Sequence, residues 1–110
     1  MKSVDLKTKP EICRLAEALG GRIQIARKRR HLRQVDLAGV TGLSRSAIQS
    51  IERGEPACLF GNVLLVLWTL GLSDSLDLIA DPGLDDTGLA LAIKDGRRRV
   101  RVREVIDNDF

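Results

Sequence analysis

The sequence predicts an all-α fold of about five helices followed by a short C-terminal tail. Three features predict it. Apolar residues recur three or four apart from Ile12 to Ala26, the period of one helix face. Two short helical stretches between Gln34 and Gly54 are separated by Thr41-Gly42, a break suited to a tight helix-to-helix turn. An almost wholly apolar run, Gly61 to Leu70, is closed by Gly71.

The elements follow in order. Pro10 suits the first position of a helix, and Ile12, Leu15, Leu19, Ile23 and Ala26 share one side of it. Gly20 and Gly21 each weaken a helix by about 1 kcal/mol relative to Ala. One helix, or two divided at the glycines, both fit. A short helix over Gln34 to Val40 turns Val35, Leu37 and Ala38 inward. Ser44 is a good N-cap for the next helix, which carries Ala47, Ile48 and Ile51 on its inner side. That helix stops at Gly54, and Pro56 prevents continuation. The run Gly61 to Leu70 is apolar all round and calls for burial on more than one side, one against the core and the other against a partner subunit. Its Trp68 suits the core or a dimer seam equally. Ser73 to Ala80 reads as a short last helix capped by Ser73, and Asp81-Pro82-Gly83 as a turn at the edge of the domain. The division expected is therefore 1–80 and a tail, 81–110. Two pictures fit the tail. In one, Leu89 to Ile93 and Val100 to Arg103 are strands of a β-hairpin around Asp95-Gly96. In the other, a helix from Leu89 to Lys94 precedes a disordered arginine tail.

Composition narrows the function. The chain has 110 residues, 44% of them apolar and 30% charged, as in ordinary globular domains. Aromatic residues are only 3%, which disfavours single-strand or RNA binding by base stacking. The net charge of +3 is small but unevenly placed. Arg22, Arg27, Lys28, Arg29, Arg30 and Arg33 form one basic block, and Arg97, Arg98, Arg99, Arg101 and Arg103 another. Between them lie Asp74, Asp77, Asp81, Asp85 and Asp86. Basic blocks point to a polyanionic partner. Cys13 and Cys58 are far apart, and with one histidine they make no zinc set. Buried thiols in a reducing cytoplasm are expected. No apolar run reaches the roughly 20 residues of a membrane span, and the N-terminus reads without a secretory pattern. No nucleophile–base pair, metal set or phosphate loop is present, so neither an enzyme nor a cofactor is expected.

The informative unit is helix, glycine turn, helix and glycine stop between Gln34 and Gly54. Two short helices so spaced hold the second away from the body, where it can enter a major groove. The residues Leu32-Arg33-Gln34-Val35-Asp36-Leu37-Ala38, then Gly42-Leu43-Ser44-Arg45-Ser46-Ala47-Ile48, then Ile51-Glu52-Arg53-Gly54, closely resemble the Cro/C1 helix-turn-helix family (the phage-repressor-like or XRE regulators) over about Leu19 to Leu72. The resemblance implies a lambda-repressor-like domain that binds double-stranded DNA. Arg33 departs from it, since the family usually has Thr or Ser there to cap the second helix.

The resemblance also implies roles. Arg45, Ser46 and Ser50 match positions that touch base edges, with Gln49 beside them. Arg45 is the strongest candidate, because an Arg fork reads guanine O6 and N7 together. Gln34, Ser44, Arg53 and Arg33 are the candidate phosphate contacts. Ser44 can also only cap, Gln49 and Ser50 can be solvated, and Arg30 and Arg33 can be plain surface charge. Arg27 and Glu52 sit where the family often has a buried ion pair. A homodimer on a palindromic operator is implied, with recognition helices about 34 Å apart, in a bacterial, cytoplasmic, nucleoid-associated protein. In overall length, helix-turn-helix sequence and short tail the chain further resembles the antitoxins that partner HipA-like kinase toxins, which are dimeric and repress their own operons. The terminal Phe110 could anchor in a partner's pocket or simply fray. An autorepressing antitoxin, a stand-alone repressor and a protein-interaction module therefore all stay open.

Overall fold

The structure, a computed structural model, describes residues 5–102, with side chains up to Arg97. Among the described residues there are five α-helices: α1 (Pro10–Arg29), α2 (Gln34–Thr41), α3 (Arg45–Arg53), α4 (Phe60–Thr69) and α5 (Asp86–Val102). Short 3-10 turns occupy Leu6–Thr8, Ser73–Leu78 and Pro82–Leu84. Among the described residues there is no strand. The chain divides into two compact units between Ser73 and Asp74.

In the first unit α1 packs on α3, and α2 packs on both α3 and α4. Ile23 of α1, Leu37 and Ala38 of α2, Ile48 and Ile51 of α3, and Val66, Leu67 and Leu70 at the end of α4 form the core. Fully burying one such Ile or Leu side chain contributes about 1.5–3 kcal/mol. The first helix is unbroken through Gly20 and Gly21. At Gly20 the missing side chain is what allows the packing. A Cβ there would lie 2.5 Å from the carbonyl oxygen of Ile51 and 2.7 Å from that of Glu52. Gly20 thus lets α1 cross the end of α3 in backbone contact, which outweighs its low helix propensity. Gly54, just past α3, combines a φ of 79° with a Cβ position only 2.6 Å from the backbone nitrogen of Glu17. The α3 stop is therefore also a docking point on α1.

One alternative closes here and one expectation fails. The helix α4 is buried only along Val66 and Leu67, while Phe60 and Trp68 stand exposed, Trp68 at 68%. That exposure closes the core alternative for Trp68 and leaves the dimer seam. Cys13 and Cys58 are free and only half-buried. Partial burial pushes the Cys58 thiol above its usual range.

The second unit departs further from expectation. The stretch after Ser73 is a 3-10 turn rather than an α-helix, and α5 runs straight through Asp95-Gly96. No hairpin forms among the described residues. Gly96 does not take the positive φ that the hairpin turn needs, and two strands alone are marginal without a third element to cover them. Ala, Leu, Lys and Arg around Gly96 favour the helix instead. Asp85 caps it, its Oδ1 accepting from the Gly88 N–H at 2.9 Å. Arg103 and the acidic end with Phe110, assigned to the tail from sequence, lie outside the described residues.

Candidate nucleic-acid interface

The second helix of the pair, α3, is fixed at both ends. Ser44 has extended backbone, and its Oγ accepts from the Ala47 N–H at 3.0 Å. That satisfies one of the free amides of the first turn and leaves others pointing outward. Helix α2 ends at Gly42 in the left-handed region, at a φ of 77°. Only Leu43 then separates Gly42 from the Ser44 cap, which makes the turn short and rigid.

Side-chain direction divides α3 into two faces. Ile48, Ile51 and Glu52 are buried. Arg45, Ser46 and Arg53 are exposed. Gln49 and Ser50 are half-buried. Arg45 and Arg53 make no hydrogen bond or ion pair with other described residues, so both cations remain available. Ser50 does not simply face solvent. With Ala47, Ile51, Leu6, Glu55 and Cys58 it lines a cavity of about 510 Å³.

Glu52 anchors the buried side. The Arg27 Nε donates to its Oε2 at 2.6 Å, and the Arg27 Nη2 donates to its Oε1 at 2.9 Å. Both side chains are almost fully buried. The Glu52 hydrogen bond holds the Arg27 guanidinium above its already high ordinary pKa. The remaining Arg27 nitrogen, Nη1, donates to the carbonyl of Leu32 at 2.8 Å. Gln34 completes the group, its Nε2 donating to Glu52 Oε1 at 3.1 Å. One carboxylate therefore ties α1, α2 and α3 together, while its arginine also ties the loop between α1 and α2. No buried side-chain polar atom among the described residues lacks a partner. A buried ion pair of this kind is expensive to break from one side.

The sequence-assigned residues fall into distinct settings. Arg45, Ser46, Ser44 and Arg53 sit on the outer side or ends of α3. The amide side chain of Gln34 is turned inward to Glu52. Arg33 is exposed but engaged, with Nη2 3.0 Å from Asp36 Oδ1 and Nε 3.0 Å from Oδ2. The Arg33 hydrogen bond holds the Asp36 carboxyl below its ordinary range. Asp36 Oδ2 also accepts from the Arg33 N–H at 2.8 Å. This is half of a capping box: an arginine side chain has no acceptor, so the cap of α2 comes from the acid three residues on. Sequence reading missed this although the Arg-x-x-Asp spacing carried it. It also missed Gln34 joining the ion pair, which has no local signature.

These features meet the comparisons with known proteins. The family described as "Helix-turn-helix domain" matches residues 18–76. That stretch covers all of α2, α3 and α4 and more than half of the chain. The chain belongs to the helix-turn-helix family. It is a DNA-binding protein of that family. It is also 45% identical, over 65 residues, to y4mF of Sinorhizobium fredii, an uncharacterized HTH-type transcriptional regulator. The aligned part spans 59% of this chain and 82% of that protein. No solved structure matches. No helix among the described residues is long and apolar enough to cross a membrane.

Proposed function

We propose that this helix-turn-helix protein is a sequence-specific repressor of transcription that reads a palindromic operator as a homodimer. The observation that carries the reading is the division of α3. Its inner face is locked to α1 and α2 through Ile48, Ile51 and the Glu52 ion pair, while Arg45 and Ser46 stand clear and unpaired. A rigidly backed helix with an unengaged arginine in its first turn suits readout of base edges in a major groove. The regulatory role is supported by the likeness to the HTH-type regulator.

Arg45, Ser46, Gln49 and Ser50 are assigned to bases. Ser44, with the outward amides of the first turn of α3, is assigned to a phosphate, as is Arg53. Gln34 approaches phosphate through its backbone N–H, and Arg33 does so as a cation shared with Asp36. The DNA-binding part is placed in 1–80, acting in the bacterial cytoplasm on the nucleoid. Titration of duplexes carrying single base changes tests the assignment. Arg45→Ala is expected to weaken the preferred site by about 1–3 kcal/mol and to relax preference at one base position. Equal loss on every duplex would make Arg45 a phosphate contact and remove it from the reading set.

An autorepressing antitoxin partnered by a HipA-like kinase is a second reading, supported only by the helix-turn-helix sequence and the charged stretch that follows it. Co-purification of a kinase from the neighbouring gene would carry it. A chain that protects a palindrome without any stable protein partner would favour the stand-alone repressor.

A further inference from the structure

In the unit that begins at Asp74, none of the side chains described is buried. From Asp74 to Arg97 no residue is buried, although Leu78, Ile79, Leu84, Leu89, Leu91 and Ile93 are large and apolar. On α5 the side chains at Leu89, Ala92, Ile93 and Gly96 fall on one face by helical spacing, and both Leu89 and Ile93 are exposed. Two large groups alternate with two small ones, a surface that another helix can approach closely.

Charge is divided along the same unit. From Asp74 to Asp86 there are five aspartates and no lysine or arginine. From Lys94 to Arg101 there are five basic residues and one aspartate. Of these acids, Asp85 at the cap and Asp86 in the first turn lie at the start of α5, so the helix has an acidic start and a basic end. A surface with opposite charges at its two ends is complementary to itself when one copy is reversed.

We infer that α5 pairs antiparallel with α5 of a second copy of this chain, across a twofold axis near Ile93. With the axis between Ala92 and Ile93, Ile93 of each copy lies level with the small Ala92 of the other, and Leu89 of each lies level with the small Gly96. The acidic start of each helix lies beside the basic end of its partner, and the opposed helix dipoles add to the attraction. A parallel pair would set like charges together at both ends. A helix of 17 residues is about 25 Å long, enough for both charged ends to engage around the apolar middle. The inference deepens the twofold arrangement proposed above and rests on it. Association is measured without DNA, so failure here is separable from failure of duplex binding.

The experiment is sedimentation equilibrium on the full chain at low salt. The wild-type chain is expected to dimerise, more weakly at 1 M salt, where screening shortens to about 3 Å. The double variant Leu89→Asp/Ile93→Asp is expected to be monomeric at concentrations where the wild type is dimeric, with its circular dichroism showing the first unit still folded. Asp86→Lys in one chain, and Arg97→Glu/Arg101→Glu in another, should each weaken self-association at least tenfold, and mixing the two should restore it. The weakening by Asp86→Lys alone tests orientation, because a parallel wild-type pair would start out repelled and that substitution would leave it no weaker; restoration on mixing shows that the charges act across the seam. Three results would overturn the inference. They are a wild-type chain still monomeric at about 1 mM, a concentration at which even a weak pair shows, a dimer that survives Leu89→Asp/Ile93→Asp, and charge variants that fail to rescue each other. The second would shift attention to the exposed Phe60 and Trp68 of α4.

Discussion

Helices α3 and α5 both carry arginines and an apolar stripe, yet the fold treats them in opposite ways. The nine residues of α3 are stopped by Ser44 and Gly54, crossed by α1 at Gly20, and tied through Glu52 to two other helices. The 17 residues of α5 have a cap at Asp85 but no buried described side chain. Length and propensity favour α5. Partners favour α3. A helix becomes a positioned tool when its inner side is committed in more than one direction, and α3 gains that commitment from one buried carboxylate. What remains outside on α3 is consequently free for a ligand, whereas what remains outside on α5 includes apolar surface that still needs a cover.

The contrast predicts a descending series of effects. The largest belongs to Glu52→Ala, which strands Arg27 in the core and should cost about 3–5 kcal/mol. In a domain of this size that lowers the melting temperature by roughly 12 °C or more. An unchanged melting temperature would remove the ion pair from the account of why α3 is rigid. Ser44→Ala should cost about 1 kcal/mol through loss of the cap, and the same thermal scan reads it. A further drop in duplex affinity, beyond any change in folding, would show that the hydroxyl also meets phosphate.

A smaller effect attaches to Asp36. Its carboxyl is held below the ordinary value by Arg33, so the stability it contributes is present above the unfolded-state pKa of about 3.9. That contribution is lost as pH falls through the lower folded value. Asp36→Asn should therefore melt below the wild type at pH 7, with the gap closing in strong acid. A gap that is constant with pH would show that the Arg33–Asp36 pair contributes nothing through its charge. Least of all is expected from Leu91→Ser, off the Leu89–Ile93 stripe of α5, which should move stability by less than about 0.5 kcal/mol. A core-sized loss there would mean that α5 is packed far more tightly than its exposure shows.

Much of the first unit was legible along the chain because its signals are local. Ser44, Gly42, Gly54 and the spacing of Leu37, Ile48 and Ile51 specify two short helices and a turn without reference to anything distant. Long-range consequences were not legible in the same way. Gly20 reads as a weak point until α3 is seen to need its missing side chain. Gln34 reads as an outward polar residue until Glu52 is found within reach. Trp68 was open between core and seam, and only the position of α4 removes the first option. In the tail, Asp95-Gly96 and two alternating stretches read equally well as a hairpin, since periodicity over four or five residues separates strand from helix poorly.

By itself, then, the sequence determined that a short capped helix would follow a glycine turn and would carry Arg45 and Ser46 on a side unlike that of Ile48 and Ile51. Caps, stops and helical periodicity act over fewer than five residues, so they are written where they work. Only the tertiary structure decided that Glu52 joins three helices, that Gly20 is a contact rather than a defect, that Asp36 supplies the cap of α2, and that the unit after Ser73 forms a helix with its apolar side uncovered. Each of these depends on which surfaces meet, or fail to meet, across long stretches of chain, and no local pattern encodes that.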